Sequence, residues 1–151
     1  MNALIAKKST TIAAPASRVW AVLTRPDLTS EWSNLFGASG PIESDWKLGS
    51  DVLWKNADGV VYVSGRVTDA KPGRLLRFTV RSTEKDKQPL SGRPEDDITQ
   101  TYALTETSGQ TTLAIEHGDF RLLAGGEEIY SAVMTGWDTV LEKLKALAES
   151  A

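Results

Sequence analysis

The chain has 151 residues, 40% of them hydrophobic, which is the size of one ordinary domain with enough apolar material for a real core. It has no cysteine and one histidine, which excludes disulfides, thiolate catalysis and cysteine- or histidine-rich metal sites. Its net charge of −3, from 17 basic and 20 acidic residues without a basic cluster, disfavours nucleic-acid binding, and no apolar run approaches the ~18 residues of a membrane span.

In chain order, lysines interrupt the N-terminal segment before a signal-peptide core can form, so a cytoplasmic location is expected. Residues 3–12 read as a strand, since threonine and isoleucine favour extended backbone. Pro15 suits the first turn of a helix, and Ala16 to Thr24 supplies one with Val19, Trp20, Val22 and Leu23 on its apolar side. Pro26 breaks it, and a second short helix runs from about Asp27 to Ser33, with Leu28 and Trp32 four apart. Residues 34–49 are glycine-rich and irregular.

Strand signals then resume at Ser50 to Lys55, Val60 to Ala70 and Leu75 to Thr83. Four-residue turns at Asn56–Gly59 and Lys71–Arg74 separate them. From Glu84 to Asp97, eight of 14 residues are charged, which predicts a solvated loop. Ile98 to Glu106 is a strand with Ile98, Gln100, Tyr102 and Leu104 on one face. Thr111 to His117 returns with Leu113, Ile115 and His117 on one face. From Gly126 to Ser150 the apolar residues Ile129, Val133, Trp137, Val140, Leu141, Leu144 and Leu147 fall at helical spacing. A helix of that length is about 35 Å long, enough to lie across a small sheet. The order is strand, two short helices, about six strands and a long helix, with short turns that demand antiparallel neighbours. An α+β fold in which a curved sheet wraps the last helix, as one domain over residues 1–151, is the economical arrangement.

The stretch Ile12-Ala-Ala-Pro-Ala-Ser-Arg-Val-Trp20, then Pro26 and Glu31-Trp32, resembles the opening of the START/Bet v 1-like (SRPBCC) superfamily, and is most similar to its activator of Hsp90 ATPase (AHSA1)-like branch. Gly65-Arg-Val67 with Lys71-Pro72-Gly73, the strand Thr112 to Phe120, and Gly136-Trp137 with Leu141 and Leu144 are similar to later parts of the pattern. The resemblance implies a helix-grip fold, in which a curved seven-stranded antiparallel sheet and two short helices hold a long C-terminal helix over a cavity. It also implies a protein that binds lipids, sterols, polyketides or other apolar molecules, a cyclase or dehydratase, or a co-chaperone in stress response. The eukaryotic Hsp90 activators carry a further N-terminal domain that has no counterpart in this sequence.

Five tryptophans are many for this length, and some could line a concavity. The candidate ligand-binding residues are Trp32, Trp46, Trp54, Tyr62, Phe78, Tyr102, His117, Phe120, Tyr130, Met134 and Trp137, and for Trp32, Trp46, Trp54, Tyr62, Tyr102, Phe120, Tyr130 and Trp137 core packing is the alternative. Trp20 reads as core. His117 is either a strand-end histidine bonded to backbone or a polar contact at the cavity, and it is the only good base if the protein is an enzyme. The paired carboxylates Asp96-Asp97 and Glu127-Glu128 read as loop and helix-start charge. The poverty of catalytic groups favours a binder of a hydrophobic small molecule or lipid over an enzyme. A chaperone and a second copy of the chain, as a homodimer, are candidate protein partners, and no cofactor, metal, nucleic acid or membrane span is expected.

Overall fold

The computed structural model describes residues 3–33, 42–56, 58–84 and 88–150. Residues 34–41 of the predicted irregular stretch, Ala57 in the first turn and residues 85–87 of the charged loop therefore lie outside the described residues. The elements are β1 (Ala6–Ile12), α1 (Ala16–Thr24), α2 (Pro26–Ser33), β2 (Asp51–Lys55), β3 (Val61–Lys71), β4 (Leu75–Ser82), β5 (Ile98–Thr107), β6 (Gln110–Gly118) and α3 (Gly126–Glu149).

The strands form one antiparallel sheet in the order β1-β6-β5-β4-β3-β2. The sheet has six strands among the described residues, which corrects the expected seven. Beyond β2 the edge carries a single bridge, Glu43 to Leu53. Trp46 then takes a φ of 55°, which ends extended backbone after that bridge. Register shifts at Trp54/Lys55 and Val67/Asp69 are bulges, and bulges increase twist and curvature. The β5–β6 hairpin closes through Ser108 and Gly109, with φ of 53° and 79°. Positive φ at both central residues is what a two-residue turn needs to match strand twist.

The inward alternation of β5 and β6 holds. Ile98, Gln100, Tyr102 and Leu104 are buried on β5, and Leu113, Ile115 and His117 on β6. The charged loop is more structured than its composition predicts. Asp97 pairs with Arg81 at 2.7 Å, and Pro89 bridges to Leu123.

The long helix is treated unevenly by the sheet. In its C-terminal half Trp137, Val140, Leu141, Leu144 and Ala148 are buried. In its N-terminal half Ile129, Val133 and Met134 are only partly buried. Polar ties fasten the C-terminal half. Lys8 pairs with Asp138 at 2.8 Å, Lys145 donates to the Thr11 carbonyl at 3.0 Å, and Arg18 donates to the Leu147 carbonyl at 2.9 Å. That last contact places a cation at a helix C-terminus, where the carbonyls lack intrahelical partners. Glu149 accepts from the Ala13 amide at 2.8 Å. At the other end, Gly126 starts the helix so close to the Phe120 carbonyl that an added Cβ would lie 1.8 Å from its oxygen.

Candidate functional site

A cavity of about 560 Å³ lies where the N-terminal half of α3 stands off the sheet. Each element contributes a wall through its alternation. Trp54 comes from β2, Tyr62 and Val63 from β3, Val80 and Ser82 from β4, Ile98 and Gln100 from β5, and His117 from β6. Phe120 and Leu123 close one end, and Ile129, Ala132, Val133 and Gly136 of α3 form the roof. The volume is within the usual range for small-molecule sites, and the walls are mainly apolar. Among the described lining residues no side chain is charged at neutral pH.

Two polar groups of the cavity, Gln100 and His117, belong to a buried network. The Trp137 indole N–H donates to His117 Nδ1 at 3.1 Å. Gln100 Nε2 lies 3.4 Å from His117 Nε2, and the Tyr102 hydroxyl donates to Gln100 Oε1 at 2.9 Å. An indole can only donate, so Nδ1 must accept and the proton of the neutral ring sits on Nε2. Burial pushes the His117 pKa down to about 3, because the charged imidazolium would lose its water. Burial likewise pushes the Tyr102 and Tyr62 phenols up. A base that weak accepts a proton poorly near neutral pH.

Of the sequence-predicted residues, Trp54, Tyr62, His117 and Phe120 line the cavity. Trp46, Phe78, Tyr102, Trp137, His117 and Phe120 form one column of rings, with successive centroids 5.5, 5.7, 6.2, 6.1 and 5.0 Å apart. Four members of that column, Trp46, Phe78, Tyr102 and Trp137, pack in the core behind the wall. Trp32 is fully buried and donates to the Val22 carbonyl at 2.8 Å. Tyr130 and Met134 pack partly buried against the cluster of Ala6, Ile98, Phe120 and Leu123.

The wall residues absent from the sequence-based set are mostly aliphatic, such as Val63, Val80 and Val133, together with Gln100. The signal for Gln100 was present, since it is the one amide in an inward strand face. For the open face of α3 the signal was Gly136, a glycine inside an apolar stripe.

Among the described residues, no group of His, Cys, Asp or Glu is placed to hold a metal ion, and no helix is long and apolar enough to cross a membrane. The family model described as activator of Hsp90 ATPase homolog 1-like protein matches residues 13–149. No curated protein matches the sequence. Among solved structures, protein MLL2253 from Mesorhizobium loti is similar with a TM-score of 0.78 at 22% identity, over 97% of this chain and 98% of that one. ChR145 from Cytophaga hutchinsonii is similar with a TM-score of 0.71 at 28% identity, over 99% and 97%. The Aha1 dimer from Colwellia psychrerythraea is similar with a TM-score of 0.72 at 17% identity, over 96% of each chain.

Proposed function

The chain belongs to the activator of Hsp90 ATPase homolog 1-like family, and from that premise we propose that it binds a small hydrophobic molecule between the curved sheet and α3. The observation that carries this reading is the 560 Å³ cavity with a mainly apolar wall. Apolar side chains supply the affinity by leaving water, and Gln100 and His117 orient the ligand. The cavity alone fits a cyclase or dehydratase equally well. The depressed basicity of His117 weighs for binding, because the one histidine is poorly matched to abstracting a proton near neutrality.

Nile red, an uncharged fluorescent probe, is expected to bind saturably to the folded protein. Gly136→Leu, which puts a side chain into the roof, is expected to weaken that binding by at least about tenfold while the circular dichroism spectrum is unchanged. A probe signal that does not saturate, or that is indifferent to Gly136→Leu, would overturn the reading. Native mass spectrometry of freshly purified protein, before and after denaturation, reports any ligand carried through purification. The Colwellia neighbour is described as a dimer, and light scattering on this chain tests whether it also pairs.

A further inference from the structure

The lining of the cavity is not equally covered. Along β4 the inward-facing side chains change from buried at Leu76 and Phe78 to half-buried at Val80 and Ser82. Along β3, Val67 is buried while Tyr62 and Val63 are half-buried. The two thinly covered stretches lie side by side, since Val63 pairs with Ser82. Opposite them on α3, Ile129, Val133 and Gly136 are half-buried and Ala132 is exposed. The remaining described lining residues, Trp54, Ile98, Gln100, His117, Phe120 and Leu123, are buried. Among the described residues, the partly open lining thus falls on two banks, the ends of β3 and β4 and one side of α3.

The attachment of α3 gives the same picture independently. Its main backbone neighbours are β1, α1, α2 and the helical turn Phe120–Leu122, and not β3 or β4. Its polar ties run to Lys8, Thr11, Ala13 and Arg18, on that same attached side. A helix fastened along one side and unfastened along the other leaves a slot on the second. Half-exposed apolar side chains on both banks are what a passage for an apolar molecule needs. The end of the cavity at Phe120 and Leu123 is closed by backbone bonds: Phe120 N–H to the Leu4 carbonyl at 2.9 Å, Leu90 N–H to the Leu122 carbonyl at 2.8 Å and Gly126 N–H to the Leu123 carbonyl at 3.2 Å. Passage there would break such bonds, whereas passage through the slot moves side chains and the part of α3 that carries no polar tie. We infer that the ligand enters and leaves between α3 and the ends of β3 and β4, with Tyr62, Val63, Val80 and Ser82 on one bank and Ala132 and Val133 on the other. This rests on the binding reading above.

The chain has no cysteine, so one introduced cysteine is a unique attachment point. Ala132→Cys puts it on the helix bank and Ser82→Cys on the strand bank. Leu122→Cys puts it at the closed end, and Lys143→Cys on the exposed face of the packed half of α3. Each full-length variant is coupled to a polyethylene-glycol maleimide and mixed with Nile red in a stopped-flow fluorimeter. A label at position 132 or 82 is expected to slow both association and dissociation by at least about tenfold and to change Kd by less than about threefold, because a plug in an entrance raises the barrier without altering the bound state. Labels at positions 122 and 143 are expected to leave both rates within about twofold of the wild-type values. If both bank labels leave the rates unchanged, weaken binding without slowing dissociation, or slow it no more than the label at position 122, the inference is overturned and the binding reading stands. If Nile red does not bind the wild-type chain, the binding reading falls and takes the inference with it. If one bank variant does not fold, the other decides.

Discussion

His117 shows how one side chain can be fixed by its neighbours. The Trp137 indole selects its tautomer, and burial holds it neutral. Its folded pKa lies below its unfolded value of about 6.5, so at acid pH the unfolded chain takes up a proton that the folded chain refuses. Above about pH 6.5 the residue imposes no penalty, and each unit below that, down toward pH 3, costs up to about 1.4 kcal/mol. Urea denaturation at about pH 5 should therefore show wild type about 2 kcal/mol less stable than near neutrality from this residue alone. His117→Gln should lack that part of the acid loss, and an identical acid loss in both proteins would refute the assignment. The inward placement of this histidine was legible in the alternation Leu113, Ile115, His117. Its partner was not, because Trp137 lies 20 positions away on an element whose rotation about its axis no local pattern specifies.

At the scale of the element, α3 carries one apolar stripe with two duties. Leu141 lies in the packed half, so Leu141→Ala should cost about 2–5 kcal/mol by chemical denaturation. Val133 faces the cavity, so Val133→Ala leaves less new void and should cost well under half as much. Equal losses would mean that the helix is gripped along its whole length. Gly126→Ala should cost at least about 1 kcal/mol, because its methyl group would meet the Phe120 carbonyl. The boundaries of α1, β5, β6 and α3 were legible to within about a residue, since each combines periodicity with a turn or proline signal. The difference between the two halves of α3 was not. Hydrophobic spacing says which face turns inward, and only the shape of the opposing surface says whether that face meets side chains or space. Among the described residues the seventh strand is missing for a related reason. Glu43 can pair with Leu53, but the positive φ at Trp46 is a backbone choice that a tryptophan does not advertise.

Across the whole molecule, the sheet and helices divide into a dense region around Trp32, Phe78 and Trp137 and an open region under the N-terminal half of α3. A ring column joins the two, and the polar network sits where they meet. The polar ties from β1, α1 and the segment between them all reach α3 at or beyond Asp138. This arrangement anchors the helix at one end, like a beam built into a wall. The part above the cavity lacks such polar ties and packs only partly buried against Phe120 and Leu123, so local opening there breaks fewer tertiary contacts. Amide protons of residues 130–136 should accordingly exchange with deuterium faster than those of residues 140–147, and a saturating ligand should slow the first group far more than the second. Those turns are expected to gate the cavity, so ligand exchange should slow in step with the exchange of their amides, and a ligand exchange rate set by diffusion alone would show that they do not.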